Sequence, residues 1–156
     1  MALRDLEHLS TDIKAAMQSN GFNTYKFGYL GEINASHNTT YPLILLLPPT
    51  SQFNDVSKND ELMTLQFHLF EQEIISLVND VSMPINQQNS FDLERTFDDL
   101  LQRFKGGIHT LVKNNEHKYI LTGSWDIERV SQEYNDSLVG LIITIKLSKY
   151  THCLNV

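Results

Sequence analysis

Metal binding or proton transfer would fall first to the six histidines, His8, His37, His68, His109, His117 and His152. No two of them have the i, i+4 spacing that turns two imidazoles toward one zinc ion on a helix, and no Cys-x-x-Cys pair accompanies them. His109 and His117 flank the end of a predicted helix with Glu116 nearby, so a surface metal site is conceivable. Solvated histidines near a helix C-terminus are the plainer reading. His152 and Cys153 are adjacent, but neighbouring side chains in extended structure point opposite ways, so a packed or inert cysteine is a plainer reading than a thiol–imidazole dyad. Ser124-Trp125-Asp126 lacks the Gly-x-Ser-x-Gly spacing that presents a serine nucleophile on a sharp turn. Asp92 with Glu94, and Asp98 with Asp99, are paired carboxylates on the predicted exposed side of a helix, where solvated charge is the default. Gly106-Gly107 lacks the preceding strand and the lysine of a phosphate loop. The expectation is a protein that is not an enzyme, with no catalytic residues, no metal and no cofactor.

Composition bounds the class. A chain of 156 residues with 41% apolar and 20% charged residues has the size and balance of one globular domain. The single cysteine excludes an intrachain disulfide and fits a reducing compartment or an assembly that needs no cross-links. Met1-Ala2-Leu3-Arg4-Asp5 does not read as a signal peptide. The longest apolar run, Leu43 to Leu47, is far shorter than the roughly 20 residues that span a bilayer, so no membrane partner is expected. A formal charge of −7 argues against nonspecific nucleic-acid binding, which needs clustered Lys and Arg.

The elements that would position any site follow from periodicity. Leu6, Leu9, Ile13, Ala16 and Met17 recur at helical spacing, and Gly21 suits the left-handed position after the helix, with Phe22 packing back on the last turn. Tyr25, Phe27 and Tyr29 alternate with Thr24, Lys26 and Gly28 as a half-buried strand. Leu43 to Leu47, apolar on both faces, reads as a central strand that Pro48-Pro49 ends. Thr50 to Asp60 reads as a polar loop. Met63, Leu65, Phe67 and Leu69 alternate with Thr64, Gln66 and His68, giving a strand with one wet face. Glu71 to Val81 is ambiguous between strand end and helical turn, and Asn79 to Ser90 reads as a loop. Ser90 is a candidate N-cap for a helix carrying a stripe from Leu93 to Val112. Gly106-Gly107 predicts either a kink in that helix or the close approach of another segment. Tyr119 to Thr122 restarts extended structure, and Trp125 begins a segment to Tyr134. The chain closes on Leu138 to Leu147, with Val139, Leu141, Ile143, Ile145 and Leu147 on one side. The sum is an α+β fold, a mostly antiparallel sheet with two main helices packed on one face, in a single domain over residues 1–156.

This order resembles the tail-terminator and tail-completion proteins of tailed bacteriophages. The matching features are the N-terminal helix, the Tyr41-Pro42-Leu43-Ile44-Leu45 strand and the alternating Met63–Leu69 strand. They continue with the Ser90–Val112 helix and the Trp125 segment leading into Leu138–Leu147. The resemblance implies a virion structural protein that forms a closed ring with itself, commonly a hexamer, with a dodecamer as the alternative. Its implied partners are the tail tube protein and neck or connector proteins, with DNA only passing through the lumen. Its implied location is the virion, after assembly in the host cytoplasm. A neck or connector ring of related fold is the closest rival. A small enzyme with an unrecognised Asp/Glu/His site, and an adaptor using a groove between helix and sheet, are rivals of other classes. Trp125, the lone tryptophan, either fills the core or anchors an interface. The interface candidates are Trp125, Phe53, Asn54, Asp55, Gln87, Gln88, Tyr150 and His152.

Overall fold

In the computed structural model the described residues are 3–29, 40–53, 60–72, 85–115, 118–131 and 138–150. Helix α1 (Leu3–Ser19) leads into strand β1 (Thr24–Phe27), followed by β2 (Leu43–Leu46), β3 (Thr50–Phe53) and β4 (Asp60–Gln72). Helix α2 (Ile85–Asn114) precedes the two long strands β5 (Tyr119–Ser131) and β6 (Leu138–Tyr150). The strands form one sheet in the order β1-β2-β4-β6-β5, with β3 also on β4. Only the β1–β2 pair is parallel; the others are antiparallel. The fold is α+β, as its periodicities predict.

Pairs of strands share their core side by alternation. Ile44 and Leu46 of β2, Met63 to Leu69 at every second position of β4, and Val139 to Leu147 likewise on β6 all enter one buried cluster. Leu9, Ile13, Ala16 and Met17 of α1 meet them, as do Phe97, Leu100, Phe104, Ile108 and Leu111 of α2. Both helices therefore lie on one face of the sheet. Phe104 is central, with the Phe67 ring edge-on at 5.0 Å and the Trp125 ring edge-on at 5.4 Å. Leu43, Leu45 and Phe70 form a second buried cluster. The β2 register sets them on the sheet's other face, so β2 is covered on both sides as its apolar run requires.

The helices meet through small residues. Met17 of α1 packs where a side chain on Gly107 would stand, and Asn20 does the same at Gly106. The helix runs unbroken through both glycines, so close approach, not a kink, is their use. Asn20 donates to Thr110 Oγ1 at 2.9 Å, and Arg103 donates to the Gly21 carbonyl at 2.7 Å. Further along, Asp12 accepts from Lys118 and from the Tyr119 hydroxyl, both at 2.9 Å. The contacts run in reverse order along the two segments, so α1 and α2 are antiparallel. Gly21 has φ of 100°, and Phe22 donates its N–H to the Met17 carbonyl, which together end α1 as its sequence predicts.

Several expectations need correction. Helix α2 starts at Ile85, not at a Ser90 cap, so Asp92 and Glu94 are not in its first turn. Thr50–Phe53 is a strand rather than loop: Pro48-Pro49 interrupts pairing along β4, which β3 resumes. The wet face assigned to β4 is in part dry, because His68 is 4% exposed. Tyr29 lies beyond β1 and is exposed instead of half-buried. Glu71 belongs to β4, and residues 73–81 of the ambiguous stretch lie outside the described residues.

Candidate functional site

Among the described residues, strand bonding capacity is left open at the two ends of the sheet and along β3, which pairs only with β4. Among the described residues, no strand pairs with the outer edge of β5 or of β1. An unpaired edge presents a row of N–H and C=O groups to any extended partner.

At the β5 end the edge is long and apolar in part. Ile120, Leu121 and Ile127 are exposed, and the register with β6 slips between Thr122 and Asp126, where Gly123 has φ of 71°. Such a bulge locally frees a strand from its ladder. Between β5 and α2 lies an open groove of about 650 Å³ lined by Phe97, Leu101, Ile127 and Leu141, with Glu94 and Asp98 among its rim residues. Arg129 spans the groove, ion-paired with Glu94 and 5.3 Å from the centre of the Phe97 ring. Trp125 is half-buried beside it, packed on the core.

The opposite end is shorter. Phe27 and Tyr29 are exposed, and Phe27 lines a notch of about 270 Å³ with Leu6, Ser10 and Thr11 of α1. Tyr25 is held by a 2.8 Å hydrogen bond with Ser10. Burial pushes its phenol up to about 12, outweighing the opposite pull of the Ser10 bond, so it stays a neutral hydroxyl at ordinary pH.

His68 is the buried histidine on the sheet face away from the helices. Its Nδ1 has no hydrogen-bond partner among the described residues, and its Nε2 is 3.4 Å from Gln66 Oε1. Desolvation lowers its pKa, with Glu128 pulling the other way.

The sequence candidates fall as follows. Trp125 lies on β5 beside the groove. Phe53 ends β3 opposite Glu61, and Tyr150 ends β6 opposite Asp60. Gln87 and Gln88 are in the first turns of α2, not in a loop. Asn54, Asp55 and His152 lie outside the described residues, as do Cys153, Glu116 and His117. Of the described candidates, Trp125 and Tyr150 lie on the neighbouring strands β5 and β6, and Phe53 lies across the start of β4 from the end of β6. Among the described residues, no three His, Cys, Asp or Glu side chains come together as a metal site. Sequence reasoning missed Lys26, Phe27, Tyr29, Ile127 and Glu128 at the two edges. Their types are ordinary for strands, and only the strand order makes them terminal.

What this geometry can do chemically is accept an extended segment along a free edge, with apolar side chains flanking the new ladder. No family model matches the chain, and no curated protein matches it. The class defined by the structure is an α+β fold with helices on one face and, among the described residues, an unpaired sheet edge at each end.

Proposed function

We propose that this protein is a ring-forming structural subunit at the head–tail junction of a tailed bacteriophage, a tail terminator or tail-completion protein. The observation that carries the reading is that, among the described residues, the terminal strands β1 and β5 are unpaired on their outer edges, with exposed apolar side chains at both ends of the sheet. A closed ring of identical subunits needs two different, complementary patches on each copy, and this sheet offers two. The order of elements, which resembles that family, supports the same reading. So does the charge of −7, because an acidic lumen lets DNA slide where a basic one would hold it. The ring ends tube growth by covering the last tube subunits and presents a new surface to the neck. A head-closure or adaptor ring of related fold would use the same two edges.

Native mass measurement tests this directly. The expected species is a discrete oligomer, a hexamer first, that appears as a ring by negative-stain microscopy and caps one end of purified tail tubes. A protein that stays monomeric at every concentration, with or without tubes, overturns the proposal.

A further inference from the structure

We infer that the outer edge of β5 in one copy pairs antiparallel with the outer edge of β1 in the next, with Ile127 opposite Phe27 and Glu128 opposite Lys26. This deepens the ring reading and rests on it.

The register across the sheet carries the inference. Residue pairs trace rows from one edge to the other. One row runs Phe27, Leu46, Phe67, Ile143, Ile127, on the face that the helices cover. The next runs Lys26, Leu45, His68, Ile142, Glu128, on the other face. The first row begins and ends in an apolar side chain. The second begins in a base and ends in an acid. If a neighbouring copy simply continues the sheet, each row meets its own beginning: Ile127 meets Phe27, and Glu128 meets Lys26.

The strand directions permit this. β1 is parallel to β2, and three antiparallel steps lead from β2 to β5. β1 and β5 therefore run opposite ways, and a copy added at the β5 edge arrives antiparallel without being turned over. The same register sets Tyr25 opposite Arg129 and Thr24 opposite Val130, and brings Tyr29 level with Trp125. Aromatic–aliphatic and opposite-charge pairs are the favourable cross-strand combinations.

Exposure agrees. Phe27 is 37% exposed, Tyr29 69% and Ile127 45%, while Leu46, Phe67 and Ile143 inside the first row are fully buried. Lys26 and Glu128 make no ion pair among the described residues. Because the two edges differ, the contact is heterologous. Sheet twist rotates each copy relative to the last, so the contact closes into a ring or continues as a filament.

The test uses Lys26→Glu and Glu128→Lys, singly and together, with K26C plus E128C in a Cys153→Ser background. Each single reversal places like charges opposite each other and raises the concentration at which the oligomer dissociates by about tenfold or more. The double reversal restores assembly, and the cysteine pair cross-links between copies under mild oxidation. Ile127→Asp disrupts assembly while circular dichroism reports an intact fold. If a reversal alone disturbs the fold, the cysteine pair decides. A discrete oligomer that ignores the reversals and does not cross-link overturns this register and leaves the ring reading standing. Cross-linked open filaments uphold the register and overturn the closed ring. A monomer under all conditions overturns both.

Discussion

His68 shows how one residue can answer to its surroundings more than to its type. Alternation along β4 assigns it to a wet face, yet it is buried on the side of the sheet where Leu43, Leu45 and Phe70 form the second cluster. Burial favours the neutral imidazole and lowers its pKa from the ordinary value of 6.5, against a weaker opposing pull from Glu128. Above that value both folded and unfolded chains hold His68 neutral, and its burial costs nothing in protonation. Below it the unfolded chain takes up a proton that the folded chain refuses, so stability falls as pH drops through the window under 6.5. Urea midpoints measured between about pH 7.5 and 5 should decline toward acid, and His68→Leu should flatten that decline. Parallel curves for the two proteins would rule His68 out as the source. Trp125 is a second case. Its edge-on contact with Phe104 gives it a core role, while its incomplete burial on β5 leaves a surface that a neighbour can cover.

At the level of elements, the helix pair depends on two glycines that a propensity scale counts only as a cost. Each weakens an isolated helix by about 1 kcal/mol relative to alanine. Here Gly107 admits the buried Met17 side chain, and Gly106 admits Asn20. Gly107→Leu should therefore destabilise the fold by about 3 kcal/mol, since the added side chain must displace core atoms that have nowhere to go. A guanidinium melt of the variant measures it, and an unchanged midpoint would mean that α1 and α2 are less closely packed. The existence of α2 is legible from its stripe of Leu93, Phe97, Leu100, Phe104, Ile108 and Leu111. Its start is not, because Ser90 is a good cap by type and the turn before it carries no apolar period. Strand β3 is hidden for a related reason. Thr50-Ser51-Gln52-Phe53 has no alternation strong enough to show against a loop, although it pairs with the start of β4, the next strand in the chain.

For the whole molecule, charge and shape act together. Copies carrying −7 each repel over distances that salt screens, whereas the Lys26–Glu128 pair and the apolar contacts act at close range. Raising ionic strength from about 0.05 to 0.5 M should therefore strengthen assembly, read as a rise in oligomer fraction by light scattering. A fall would show that charge attraction between copies outweighs their mutual repulsion. The grooves beside α1 and α2 lie at opposite ends of the helical face, so a neighbour docked at one end leaves the other open for the next copy.

Local periodicity determined a good deal of this protein. The α+β class, both helices, the doubly covered β2 strand, the alternating β6 strand and the turn at Gly21 all follow from residues a few positions apart. Spacings of 3.6 and 2 are properties of the backbone itself. Strand order is not such a property. Which strands stand at the rim, which side of His68 is dry, and which ends of the rows carry Lys26 and Glu128 depend on pairings between distant segments. Those pairings are chosen by burying the most apolar surface at once, a sum over the whole chain that no short window of residues contains.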